Sequence, residues 1–158
     1  MRRKDRELKT LEEMMEVLRA CKVCRMAMVD GERPYVLPLN FGAEREGDGI
    51  AVYLHCAKEG RKLEILRRNP RVCLEMDCEH GLIEAEKACN YGYTFASVLG
   101  EGTAEILEDP AEQRHGLTVL MEQQTGKHFS FTDAEASAVA VLRVRLAASA
   151  LTGKRHAR

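Results

Sequence analysis

The chain has 158 residues without a low-complexity segment, which is enough for a hydrophobic core, and we expect a single domain over residues 1–158. Its 24 lysines and arginines nearly balance 25 aspartates and glutamates, so no overall field steers the protein toward nucleic acid or an anionic membrane. No apolar run forms a signal peptide or is long enough to cross a bilayer, so we expect a cytoplasmic protein with neither nucleic acid nor membrane as a partner.

The first part of the chain predicts a helix followed by a β hairpin. Residues 10–20 carry a capping box and apolar side chains at helical spacing. The turn residues 30–31 then separate two apolar runs, residues 23–29 and 34–42, which predict two antiparallel strands. Pro38 cannot donate a ladder hydrogen bond, so the second strand needs an edge, a bulge or an unpaired section there. Backbone left unpaired in this way is free for a ligand.

The next elements place a short basic turn between a strand and a helix. The pattern predicts a strand over 50–56, a short helix over 60–68 and a further strand over 71–77. Arg61 and Lys62 fall in the first helical turn, where free backbone N–H groups and the helix dipole favour an anion. A phosphate-bearing ligand is one interpretation of this pattern, and a solvated basic helix face is the other.

The second half predicts further strands around one capped helix. Glycines 100 and 102 interrupt a long apolar strand and indicate a bend of the kind that closes a barrel. We expect, in order, a loop or short helix over 78–90, a strand over 93–107, a helix over 109–126 and a last strand over 138–146, with loose tails over 1–8 and 151–158. About six antiparallel strands with helices packed outside predict a mainly β, α+β fold, a small antiparallel barrel.

The cysteines are expected to be reduced thiols, because no secretion signal accompanies them. Cys24, Cys56, Cys73 and Cys89 lie in or beside apolar stretches, which is typical of small core residues. Cys21 and Cys24 have the spacing of zinc sites and redox pairs, but a second such pair is missing. We therefore expect no metal site, and a zinc-held or thiol-based regulator stays only as a third functional alternative.

Several blocks of the sequence carry a family resemblance when taken together. They span residues 1–7, 21–27, 34–42, 54–62, 69–73, 97–104 and 152–154. In this order they resemble the flavin-binding split-barrel proteins of the pyridoxamine 5'-phosphate oxidase-like superfamily, and most closely the nitroimidazole-resistance (Nim) branch. The resemblance covers nearly the whole chain. It implies a six-stranded antiparallel split β-barrel with peripheral helices, which binds FMN and forms a homodimer with the FMN at the subunit interface.

The resemblance also implies which residues meet the cofactor. The strand around Pro38 would run along the edge of the isoalloxazine ring, and the turn after His55 would hold the phosphate. Gly60 stands where related oxidases carry serine, so it lacks the hydroxyl but keeps its N–H. Ser97 would reach the flavin bound mainly by the other subunit. The implied cofactor-binding residues are Leu37, Pro38, Leu39, Asn40, His55, Cys56, Ala57, Gly60, Arg61, Lys62 and Ser97.

His55 is the candidate catalytic residue, because the Nim branch carries at this position a histidine thought to face flavin and substrate. An imidazole there would donate a proton or polarise a nitro group. The alternative is a structural histidine bonded to a neighbouring carbonyl.

The activity that the resemblance implies is an FMN-dependent oxidoreductase. It would pass electrons from a reductant, such as a nicotinamide cofactor, to a small aromatic or nitro-containing acceptor. The chain lacks the Arg-Leu-x-Pro ending of true pyridoxamine phosphate oxidases, so that reaction is not expected. The alternative is a carrier or sensor that binds flavin, haem or deazaflavin without turnover.

Overall fold

Strands dominate the computed structural model, which describes residues 3–157. The elements are β1 (Glu7–Leu8), α1 (Leu11–Ala20), β2 (Val23–Asp30), β3 (Arg33–Glu46), β4 (Gly49–Cys56), α2 (Arg61–Arg68), β5 (Arg71–Ile83), β6 (Gly92–Ile106), α3 (Pro110–Thr125), α4 (Asp133–Ala136), β7 (Ala140–Leu146) and β8 (Leu151–His156). Short 3₁₀ turns lie at Lys4–Arg6, Ala88–Asn90 and Ala148–Ala150. Within residues 3–157, no helix has the length and apolar character that a bilayer span requires.

Six strands close into a ring in the order β6, β5, β2, β3, β4 and β7, with β7 pairing back onto β6. Every pair in the ring is antiparallel. The interior is filled by side chains that alternate inward along each strand, among them Met26, Phe41, Leu54, Leu74 and Leu142. The predicted six-stranded antiparallel barrel with helices outside it is confirmed.

Strand β6 changes partner halfway along its length, and this splits the barrel. Residues 95–100 pair with β8, whereas residues 103–106 pair with β7. Gly102 lies at this exchange, where an added Cβ would stand 2.5 Å from the carbonyl oxygen of Arg145. A side chain does not fit there, so the glycine predicted to bend the strand is required by the close approach of β7.

The helix ends follow their sequence signals. Glu13 donates its backbone N–H to the hydroxyl of Thr10, and its carboxylate accepts from the backbone of Thr10, which completes the predicted capping box at α1. The Asp109 carboxylate accepts from the backbone N–H of Glu112 and caps α3, and Gly126 ends α3 at a φ of 72°. Both helices therefore form where the sequence predicts them.

The segment 78–90 was expected to be a loop or short helix, and this expectation is wrong for its first part. Strand β5 continues to Ile83 and pairs there with the start of β6. One irregularity lies between Cys78 and Gly81, where Glu79 has a φ of 62°. The segment is polar, but its partner strand supplies backbone hydrogen bonds, which hydrophobic periodicity does not reveal.

The tails, expected to be loose over residues 1–8 and 151–158, contain two paired strands. β1 pairs with β8, and β8 pairs with β6, so the strand over Ala140–Leu146 is not the last one. Leu8 and Leu151 are both buried, and their burial fixes the two ends together. Met1, Arg2 and Arg158 lie outside the described residues.

Candidate functional site

The first half of β3 has a neighbouring strand on one side only. β2 pairs with it from Arg33 to Asn40, whereas β4 pairs only with residues 41–46. The unpaired section predicted around Pro38 is therefore present. It leaves one row of backbone polar groups without a strand partner.

Alternation along β3 decides which groups face this open edge. Asp30 and Arg33 flank a two-residue turn, and such flanking residues exchange both of their hydrogen bonds. Odd-numbered residues of β3 therefore direct their backbone to β2, and even-numbered residues direct theirs to the open edge. Because Pro34 and Pro38 have no N–H, the edge presents the carbonyls of residues 34, 36 and 38 and the N–H of Val36. It is rich in acceptors and closed to further strand pairing.

Beyond Asn40, where the pairing with β2 ends, two glutamines of α3 form hydrogen bonds with the backbone of β3. Gln123 accepts a hydrogen bond from the N–H of Ala43 (2.9 Å), and Gln124 donates to the carbonyl of Phe41 (2.8 Å). The side-chain amide of Asn40 donates to Gln124 (3.3 Å) and to the carbonyl of Lys22 (3.1 Å). The Asn40 side chain is thus already engaged, and α3 fixes the end of the open edge.

His55 lies at the carboxyl end of β4, beside the same end of the edge. It lines a surface cavity of about 370 Å³ together with Val23, Pro38, Leu39 and Asn40. Its ring is exposed, and within the described part of the chain it makes no hydrogen bond to a carbonyl. The geometry therefore leaves the imidazole available to a molecule in the cavity.

Helix α2 begins next to the other end of the open edge. Its N-cap residue Gly60 has a φ of 128° and supplies no capping side chain, and an added Cβ would meet open space. Glu64 makes the first bond within the helix, to the carbonyl of Gly60 (3.2 Å). The preceding amides of residues 61–63 have no acceptor within the helix, so they can bind an anion.

The two basic residues of this turn differ in placement. Arg61 is exposed, and its guanidinium is bonded to Asp30 and stacked 4.4 Å from the centre of the Tyr35 ring. Lys62 is half-buried and lies beside the Cys56 thiol. Burial raises the pKa of Cys56, and the nearby Lys62 ammonium opposes that shift. Cys56 therefore stays a neutral thiol at neutral pH.

The cysteines do not gather at this site. Burial raises the pKa of Cys24 to about 12, and burial also raises the pKa of Cys21, whose thiol lies beside Cys78 on β5 rather than beside Cys24. Residues 3–157 contain no group of three or more His, Cys, Asp or Glu side chains placed to hold a metal ion. Cys89, expected in the core, is exposed because it lies in the turn between β5 and β6.

All predicted site residues except Ser97 surround the open edge, the end of β4 and the start of α2. Leu37 and Leu39 pack their side chains against the barrel core and direct their backbone to β2, so they offer the edge little polar contact. Ser97 faces outward on β6, three strands away from Pro38, which corresponds to about 14 Å. One chain alone therefore does not bring Ser97 to the edge.

The outer face that carries Ser97 combines exposed apolar side chains with the ion-paired cluster of Arg25, Glu75 and Asp77. A groove of about 610 Å³ crosses it, lined mostly by small and apolar residues of β2, β3, β5 and β6, together with the charged Arg71 and Glu101. Exposed apolar side chains on the strands of this face include Val23, Val29, Val36 and Leu99. Exposed apolar side chains among polar ones are found at many interaction surfaces.

Asp30, Tyr35 and Gln124 were not identified as site residues from the sequence. Asp30 and Tyr35 contact Arg61, and Gln124 contacts Asn40. Asp30 was recognised only as a turn residue. Its contact with Arg61 joins positions that are remote in sequence, as does the contact of Gln124 with Asn40. No local pattern signals either pairing.

Comparison with known proteins identifies the class of this barrel. The sequence profile of the pyridoxamine 5'-phosphate oxidase family matches residues 10–155. The chain belongs to this family. A search of curated proteins gave no significant match.

Solved structures agree with the family. A candidate 5-nitroimidazole antibiotic resistance protein from Bacteroides thetaiotaomicron is 32% identical, with a TM-score of 0.78 over 94% of this chain and 85% of that one. The flavocytochrome Anf3 of Azotobacter vinelandii is 25% identical, with a TM-score of 0.79 over 100% and 72%. A FAD-binding protein from Mesorhizobium loti is 26% identical, with a TM-score of 0.66 over 96% and 98%.

Proposed function

We propose that this protein is an FMN-dependent oxidoreductase that passes electrons from a reductant to a small aromatic or nitro-containing acceptor. One observation carries the proposal: the open edge of β3 lies between an exposed histidine in a cavity and a helix start with free amides and basic side chains. The likeness to a candidate nitroimidazole-resistance protein and to a FAD-binding protein supports it.

The residues present fit a flavin mononucleotide. The row of carbonyls and the Val36 N–H suit the polar edge of a planar heterocycle, whose N–H groups donate and whose carbonyls accept. The amides of residues 61–63, with Arg61 and Lys62, suit a phosphate. Strand β3 runs about 17 Å from Tyr35, which lies beside Arg61, to Asn40, which lines the cavity of His55, so the open edge connects the two parts of the proposed site.

The bound flavin would supply the electron transfer itself. The chain would hold the ring against β3, exclude water with the apolar side chains of Val23 and Leu39, and place the exposed imidazole of His55 beside the acceptor. His55 would then donate a proton from a ring nitrogen to the acceptor as it is reduced. An arrangement of this kind needs no metal ligand.

The active unit in this proposal is a homodimer with FMN between the subunits. Ser97 cannot reach the β3 edge of its own chain, and it lies on the outer face that carries the exposed valines. Pairing two such faces would bury the exposed valines and bring Ser97 of one subunit to the flavin of the other.

Flavin binding by the purified protein tests the proposal. Quenching of FMN fluorescence should show saturable binding with one FMN per chain, and the double variant Arg61→Gln/Lys62→Gln should lower FMN affinity by roughly tenfold or more, because charged contacts to phosphate are lost. Arg67→Gln is the matched control, since Arg67 is exposed in the last turn of the same helix. A protein that does not retain FMN after reconstitution contradicts the proposal.

Turnover is separated from mere binding by a second experiment. The bound flavin is reduced anaerobically with a nicotinamide donor or a general reductant, and a nitroimidazole is then added. Reoxidation faster than that of free FMN supports the oxidoreductase. Equal rates favour the alternative, a flavin carrier or sensor.

A further inference from the structure

Asp30 bridges two arginines of helix α2 from the end of the β2 strand. Its Oδ2 accepts a hydrogen bond from Arg61 Nε (3.1 Å) and forms an ion pair with Arg61 Nη2 (3.0 Å), and its Oδ1 accepts from Arg68 Nη2 (2.9 Å). The Arg61 guanidinium bonded to it holds the pKa of the Asp30 carboxyl below its usual range. Asp30 is therefore ionised at neutral pH, and both of its oxygens are occupied.

Two residues, Asp30 and Tyr35, fix the position of the Arg61 guanidinium. Asp30 binds one edge of the guanidinium, and the Tyr35 ring covers one face at 4.4 Å. Nη1 makes no hydrogen bond to another residue of the described chain. The edge formed by Nη1 and the second hydrogen of Nη2 is therefore left free, and it has the fork geometry that phosphate oxygens accept.

We propose that Asp30 is a positioning residue for the anion site at the start of α2, where it fixes Arg61 with its free edge presented to a phosphate. The proposal rests on the proposed function, in which this site holds the FMN phosphate. Arg61 is half-exposed, so without Asp30 its long side chain would sample many rotamers and would have to be ordered by the ligand.

Asp30 also places a negative charge near the phosphate, and this effect opposes the first. Two arginines share that charge, and the distant side of the guanidinium is the side offered to the ligand. The proposal requires the gain from a prepared donor to exceed the residual repulsion. The sign of the affinity change in a variant without the charge therefore tests the proposal directly.

The experiment compares FMN with riboflavin, which lacks the phosphate. Asp30→Asn should weaken FMN binding by roughly three- to tenfold, the range expected when one long side chain must be ordered on binding. Riboflavin affinity should not change. Asp30→Glu should restore part of the FMN affinity. Asp48→Asn is the control, since Asp48 is an exposed carboxylate in the β3–β4 turn.

A double-mutant cycle shows whether the effect acts through Arg61. In the Arg61→Gln background, Asp30→Asn should produce no further loss of FMN affinity, whereas in the Arg68→Gln background it should still do so. Thermal melting of the apo variants checks that each one folds, and affinities are compared only below the melting range.

The outcomes are distinct. If the wild-type protein binds FMN but Asp30→Asn binds it equally or more tightly, the role of Asp30 is refuted and the proposed function stands. Equal losses for FMN and riboflavin also refute it, because they indicate general damage to the fold. If the wild-type protein binds no FMN, both proposals fail.

Discussion

Replacing Gln124 by leucine should weaken both the fold and the ring end of the proposed site. The side chain keeps its approximate size but loses two donated hydrogen bonds, to the carbonyls of Lys22 (3.0 Å) and Phe41 (2.8 Å), and the longer bond from Asn40 (3.3 Å). At about 1 kcal/mol for each donated bond and about half that for the third, the free energy of unfolding should fall by about 2.5 kcal/mol. A chain of this size should then melt roughly 5–10 °C lower.

The assay combines thermal or urea unfolding of the apo protein with flavin titration. Because Gln124 fixes the edge at Asn40, FMN and riboflavin should both bind more weakly by a similar factor, unlike the phosphate-specific effect expected for Asp30. Gln113→Leu is the matched control, since Gln113 donates a single bond to Leu107 (2.8 Å) in the first turn of α3. It should cost about 1 kcal/mol and leave flavin affinity unchanged.

The reasoning is refuted if Gln124→Leu destabilises the protein no more than Gln113→Leu does. It is also refuted if stability falls as expected while both flavins bind as they do to the wild type. The second result would mean that α3 does not order the edge of β3.

Three further outcomes follow from the structure. Gly42→Ala should lower the free energy of unfolding, measured in urea, by about 3 kcal/mol, because the added Cβ would overlap the backbone of Leu120 and push α3 away from the barrel. A decrease below about 1 kcal/mol would contradict this close contact. The hydrogen bonds from Arg143 hold the pKa of Glu105 below its usual value, so the pair stabilises the fold fully above the ordinary glutamate pKa, and this stabilisation is lost as the pH falls through the lowered pKa. Glu105→Gln should therefore flatten the acid limb of the plot of unfolding free energy against pH. An unchanged acid limb would contradict this role of the pair. His55→Gln should retain FMN but reoxidise with a nitroimidazole roughly a hundredfold more slowly, and an unchanged rate would exclude His55 as the proton donor.

Local signals predicted most of the elements correctly. The capping box of α1, the Asp-Pro start of α3 and the turn after β2 are each specified by a few neighbouring residues, and each is confirmed. The open edge at Pro38 was predicted for the same reason, since a residue without an N–H cannot sit between two paired strands. The continuation of β5 over residues 78–83 and the strands β1 and β8 were missed, because their pairing depends on a distant partner.

The site shows the same division. Arg61 and Lys62 were found from a local strand–turn–helix pattern, whereas His55 and Gly60 were singled out by the family resemblance. The placement of Asp30 against Arg61 and of Gln124 against Asn40 was not predicted, because each contact joins segments that meet only after the barrel closes.

The sequence by itself predicted the kinds of element, because capping, turn and proline effects act within a few residues. Its resemblance to known proteins predicted the family that the profile match confirms, and the residues proposed to bind an anion or move a proton stay predictions. The tertiary structure alone decided which edge of β3 stays open, which groups fix Arg61 and Asn40, and that Ser97 lies three strands away from Pro38. Those features depend on strand order and ring closure, which bring together residues far apart in the chain.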